Sequence, residues 1–139
     1  MFSSNFARVR WLPADLRPVA ISIGLPHWYR GERELRLAPT RESLPWPRRR
    51  FDPFYNSLLA RLDPAQLYAD LGETAVLLCW ESPNVWCHRR RVAEWFEEAL
   101  GVEVPEFGFE RAEILPYLEM PPKPPKPRKP RKRPKRRRG

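Results

Sequence analysis

The chain has 139 residues and a formal net charge of +9, enough length for one domain with its own core. Eleven of its 26 Lys and Arg lie beyond Pro121, where there is no acid, so the first 120 residues set 15 bases against 17 acids, a net of −2. The basicity is an appended arm; no run approaches the roughly 18 apolar residues of a membrane span, and Cys79 and Cys87 alone make no disulfide framework.

In chain order, residues 1–18 show no clear period and read as an irregular segment. Their opening, MFSSNFARVRW, is too polar for a signal peptide, so free thiols in a reducing cytoplasm are expected. Val19-Ala20-Ile21-Ser22-Ile23-Gly24 is a short apolar, β-branched run stopped by glycine, which predicts a buried strand. Leu25 to Arg50 holds four prolines and mixed charge and reads as one long loop. Two Asp-Pro pairs, Asp52-Pro53 and Asp63-Pro64, each predict a helix start, with Asp as cap and Pro at the first helical position. Phe54, Leu58, Leu59 and Leu62 give the first helix an apolar face, and Leu67, Tyr68 and Leu71 do so for the second, which Gly72 ends.

Ala75-Val76-Leu77-Leu78-Cys79-Trp80 does not alternate, which predicts a strand buried on both faces in a parallel sheet. After the loop Glu81 to Trp86 a helix runs to about Leu100, with Val92, Trp95, Phe96, Ala99 and Leu100 inward and Gly101 as its stop. Val102-Glu103-Val104 is then a third short strand. Strand, helix and strand in this order imply a right-handed crossover. The expected fold is α/β: a small parallel or mixed three-layer sheet, Rossmann-like, in a single domain over residues 19–118. The tail, 119–139, has no apolar side chain beyond Met120 to offset ordering entropy and reads as a disordered polyproline-like arm.

Ligands of open α/β sheets bind beyond the carboxyl ends of the strands. Two such ends are legible: Gly24 leading to His27-Trp28-Tyr29-Arg30-Gly31, and Cys79-Trp80-Glu81 leading to Cys87-His88-Arg89. Parallel neighbours would share one rim. Cys87, at a helix N-terminus beside His88 and arginines, is expected to have a lowered pKa and to act as a nucleophile. His88 is a candidate base, and Glu81, two residues past Cys79, a candidate acid or base. Cys79 reads as a supporting core thiol. The triplet Arg89, Arg90, Arg91 stands in a first turn already positive from the helix dipole. Arg89 is therefore the expected anion clamp, with Arg30 as a second phosphate contact. Cys79, Cys87, His88 and His27 do not form a short ligand knuckle, so neither a metal nor another cofactor is expected.

LLCWESPNVWCHRRRVAEWF, Leu77 to Phe96, resembles the signature of domain-of-unknown-function family 488: an apolar strand ending in Cys-x-Glu, a short loop, then Cys-His-Arg opening a helix. The pattern falls on Cys79, Glu81, Cys87, His88 and Arg89, and ISIG resembles the family's first strand, so the resemblance covers residues 19–106. The family's Asp-x-Arg after an early strand is missing; Trp28-Tyr29-Arg30-Gly31 stands there instead. The resemblance implies an α/β fold and no particular activity.

Two functions fit the residues. One is an enzyme-like site with a reactive cysteine, directed at a nucleotide or another phosphate-bearing small molecule. The other is a non-enzymatic accessory protein whose rim is structural. In both, the tail cations, among them Lys129, Arg131, Lys132, Arg133, Lys135, Arg136, Arg137 and Arg138, bind nucleic acid without sequence preference. No membrane partner is expected.

Overall fold

A computed structural model describes residues 1–111; the tail and the last residues of the expected domain lie outside them. The strands are β1 (Phe2–Asn5), β2 (Arg17–Ala20), β3 (Glu32–Arg33) and β4 (Ala75–Cys79), and the α-helices are α1 (Arg48–Ala60), α2 (Pro64–Leu71) and α3 (His88–Leu100). Short 3-10 turns cover Phe6–Trp11 and Leu35–Leu37. The sheet order is β1-β4-β2-β3 and every pairing is parallel. The α/β expectation therefore holds, with β2 and β4 as central parallel neighbours.

All five residues of β4 are buried, as its non-alternating sequence requires. Ala75 and Leu77 face a core built with α1, α2 and α3, while Val76 and Leu78 face a second cluster with Phe6, Ala20 and Tyr29. The three α-helices thus cover one face, and the N-terminal 3-10 turn with its flanking loops covers the other. Among the described residues, no α-helix contributes to that second cluster.

Four sequence expectations shift. The first strand runs Arg17–Ala20 rather than Val19 to Gly24. Pro18, which lacks a ladder donor, nonetheless stands in register with Val76, and Ser22 turns the chain by donating to the Gly24 carbonyl at 2.6 Å. Residues 1–18 are not irregular throughout: β1 pairs Ser3 with Leu77 and Asn5 with Cys79. Its buried residues are polar, so no hydrophobic signal marks it. The first helix begins at Arg48, with Pro53 inside it, and Asp52 pairs with Arg48 at 3.1 Å instead of capping. Finally, Val102-Glu103-Val104 forms no strand. The chain meets the sheet edge two residues later, in a single parallel bridge of Glu106 with Ser3.

Other signals translate directly. Asp63 Oδ1 accepts from the amides of Ala65 (3.1 Å) and Gln66 (3.2 Å), with Pro64 at the first helical position. Gly101 ends α3 at φ 65°, the left-handed stop that glycine favours.

Candidate functional site

The carboxyl ends of β2 and β4 do share one rim. Trp80 Nε1–H donates to the Gly24 carbonyl at 3.1 Å and ties the two strand exits together. Beneath this tie lies a cavity of about 210 Å³. Its lining includes Ser22, Ile23 and Gly24 after β2, Cys79, Trp80 and Glu81 at the end of β4, and Cys87 and His88 at the start of α3. Pro39, Leu44 and Phe51 complete it from the segment that reads as loop and from α1. Those three could not be found from sequence, because no motif marks them and only the tertiary fold brings them to the rim. His27, Arg30 and Arg89 are not among the lining residues.

The cavity floor is a cluster of sulfur and nitrogen. Cys79 Sγ lies 3.5 Å and Cys87 Sγ 3.7 Å from His88 Nδ1. Relative exposure is 4% for Cys79, 3% for Cys87 and 7% for His88, so all three are withdrawn from bulk water. Strand β4 delivers Cys79 at its last residue, whereas Cys87 is the residue capping α3 and His88 its first. The far side of the imidazole is fixed: Nε2 stands 2.7 Å from the Ile21 carbonyl. A carbonyl only accepts, so Nε2 carries a proton and Nδ1 is the nitrogen turned to the thiols. Burial opposes the charged ring, but Cys87 and the Ile21 carbonyl outweigh it and hold the His88 pKa above its ordinary value. Tyr55 packs edge-on against the ring with centroids 5.5 Å apart, its hydroxyl donating to the Leu37 carbonyl at 2.6 Å. Glu81 is exposed at the mouth, and its Oε2 lies 3.4 Å from Cys79 Sγ.

The expected lowering of the Cys87 pKa is overturned. Burial disfavours the thiolate and lifts this thiol well above its ordinary value, and the neighbouring Cys79 adds to the rise. The imidazole of His88 works in the opposite direction but does not outweigh desolvation. Cys87 is thus a protonated thiol at neutral pH unless its proton is taken up within the cluster or displaced.

Arg89 is corrected more sharply. It is 2% exposed, and the anion it clamps belongs to its own chain. Its guanidinium meets Glu106 through Nη2–Oε1 at 2.8 Å and Nε–Oε2 at 3.3 Å. Nη1 donates to the Glu81 carbonyl at 2.9 Å. Arg89 therefore holds the loop carrying Glu81 to the sheet edge, and is committed before any ligand arrives. Arg90 pairs with Glu94 at 3.0 Å, and Arg91 with Asn56 at 2.6 Å and Glu98 at 3.1 Å. These two occupy the polar face of α3. Arg30 is exposed, with Nη1 donating to the His27 carbonyl at 2.5 Å.

Among the described residues, Glu81 is the one carboxylate in the lining, and no Lys or Arg stands there. The cavity also falls below the roughly 300–1,000 Å³ typical of sites for drug-sized ligands. Both features favour a small, uncharged ligand over a nucleotide. Among the described residues, no helix is long and apolar enough to cross a membrane. Comparison with family models, with curated proteins and with solved structures found no match.

Proposed function

We propose that this protein is an enzyme whose site is the rim cavity, acting on a small uncharged substrate, with Cys79, Cys87, His88 and Glu81 as its working groups. One observation carries this reading. Two thiols and the Nδ1 nitrogen of a fixed imidazole converge at the floor of a cavity, beyond the carboxyl ends of parallel strands. A core that merely packed would have no reason to aim an imidazole nitrogen at two sulfurs and to set a carboxylate beside them. The phosphate-directed form of the idea loses its support, because Arg89 is spent on Glu106. The tail adds a separate proposal: its cations attach the domain to nucleic acid of any sequence.

Alkylation by two reagents of similar size tests the site. In the reduced, metal-free full-length chain, neutral iodoacetamide should label Cys87 or Cys79 in the native state, and anionic iodoacetate should label them several-fold more slowly. Leu44→Trp, which narrows the mouth, should slow both. Iodoacetate reacting as fast as iodoacetamide would restore an anion site and sink the uncharged-substrate reading. If neither reagent labels either thiol until the chain is unfolded, the cluster is core and the protein is an accessory factor with a structural rim.

A further inference from the structure

Two buried thiols and an imidazole nitrogen within reach of one another also make a set of metal ligands. Cys79 Sγ, Cys87 Sγ and a ring nitrogen of His88 all lie within 4.8 Å of one another. Tetrahedral zinc, with bonds of about 2.3 Å to sulfur and about 2.05 Å to nitrogen, has S···N edges of roughly 3.6 Å. The two S···N separations, 3.5 and 3.7 Å, bracket that edge. With the sulfurs also within 4.8 Å of each other, the three donors could close around a soft divalent ion.

The surroundings agree with a ligand set. Metal-bound histidines almost always give their second ring N–H to a carbonyl or carboxylate, which fixes the tautomer and aims the lone pair. His88 does so through the Ile21 carbonyl at 2.7 Å. Charge is balanced as well: a divalent cation with two thiolates and a neutral imidazole is neutral overall, so it can sit where burial is nearly complete. Without metal the same burial resists thiolate formation.

We propose that Cys79, Cys87 and His88 form a three-ligand site for zinc or a similarly soft divalent cation, with its fourth position open to the rim cavity. Binding breaks the two S–H bonds, forms two metal–sulfur bonds and one metal–nitrogen bond, and releases both thiol protons to solvent. Three protein ligands and one open position is the arrangement of catalytic rather than structural zinc. A water or substrate oxygen would take the fourth position. Glu81, at 3.4 Å from Cys79 Sγ, stands at the mouth as the base for such a group. That last step rests on the reading of the cavity as an active site; the binding of metal does not. The spacing Cys79-x7-Cys87-His88 conceals this set, because a strand end and a helix start supply the ligands in place of a short knuckle.

Cobalt(II) tests it on the full-length chain, stripped of metal and kept reduced with a phosphine. About one equivalent of cobalt should give a thiolate-to-metal charge-transfer band and the intense visible bands of tetrahedral coordination. Zinc should then displace it, with close to two protons released per ion at neutral pH. Cys79→Ser, Cys87→Ser and His88→Gln should each abolish or shift these bands, while His27→Ala, at an exposed histidine, should not. Circular dichroism tells loss of ligands from loss of fold. The wild-type chain alone can also overturn the proposal: no charge-transfer band while both thiols titrate as free means there is no metal site. Bands that survive in the Cys79→Ser, Cys87→Ser double variant mean the metal sits elsewhere. Iodoacetamide labelling without cobalt bands leaves a thiol enzyme without metal. Cobalt bands without labelling or turnover leave a metal site that is structural.

Discussion

Arg89 and Glu106 form an ion pair with side chains 3% and 8% exposed. In such surroundings removing one partner strands the other charge, and the penalty is about 3–5 kcal/mol. Arg89→Ala should lower stability by that amount in urea titration. Arg89→Lys should recover only part of it, because an ammonium cannot serve Glu106 and the carbonyls of Glu81 and Ser82 with one planar fork. Combining Arg89→Met with Glu106→Gln should recover more, since no buried charge remains and the Gln carbonyl can still accept from Ser3 Oγ, now 2.6 Å from the Glu106 carboxylate. A loss under about 1 kcal/mol for Arg89→Ala would mean that water reaches the pair. Gly31 is a second case of local necessity. A Cβ there would stand 2.5 Å from the Tyr29 hydroxyl and 2.6 Å from its Cζ. That ring is buried and its hydroxyl donates to the Glu32 carbonyl at 2.7 Å, so it cannot step aside. Gly31→Ala should cost about 1–3 kcal/mol in thermal unfolding. Gly24→Ala, whose Cβ would meet nothing within 4 Å, should be close to neutral.

At the scale of elements, the two Asp-Pro pairs show how far a local signal reaches. Asp63 caps α2 through two amides, and Asp63→Ala should cost about 1 kcal/mol. Asp52 sits inside α1 in an i,i+4 pair with Arg48, so Asp52→Ala should cost only about 0.3–0.5 kcal/mol. Equal losses would mean that α1 starts at Asp52 in solution. The turn Leu35–Leu37 is pinned by Glu34. Its carboxylate accepts from the Arg36 amide at 3.0 Å and from the Arg36 guanidinium at 2.8 Å, while Arg36 also reaches Asp70 of α2 at 3.2 Å. The Arg36 hydrogen bond holds the Glu34 carboxyl below its ordinary value. A depressed acid stabilises the fold above its unfolded pKa of about 4.3 and loses that contribution as pH falls through the lower folded value. Arg36→Gln should therefore be less stable than wild type at neutral pH, and the difference should shrink as pH drops below about 4. A difference that stays constant down to pH ~3 would place the effect in packing rather than charge.

For the whole molecule, the tail and the domain should separate. Removing Pro121–Gly139 should leave unfolding of the domain unchanged, because that stretch has no apolar side chain to bury. Binding of the full chain to duplex DNA should weaken steeply with salt, with a slope in log–log form of about −0.9 per phosphate contact, near −5 for roughly six contacts. The truncated domain, close to neutral in charge, should bind little at physiological salt. Rim substitutions such as Cys87→Ser should leave this bulk affinity intact. If truncation leaves DNA binding unchanged, the arm is not the anchor.

The sequence alone determined the elements whose signals are local or carried by hydrophobicity. The apolar run of β4, the Asp63-Pro64 start and Gly72 end of α2, and the stripe of α3 up to Gly101 each record a requirement that the residues meet themselves. Membership of Cys79, Glu81, Cys87 and His88 in one rim was legible too, since parallel strands must end on the same side. Tertiary structure decided the rest. Strand β1 exists because Ser3 and Asn5 find partners across the sheet, something no pattern in FSSN announces. The role of Arg89 depended on Glu106, seventeen residues on, arriving at its guanidinium. The ionisation of Cys87 depended on how completely the fold removes water from it: the neighbouring His88 can be read along the chain, but desolvation cannot, and here desolvation is the larger effect.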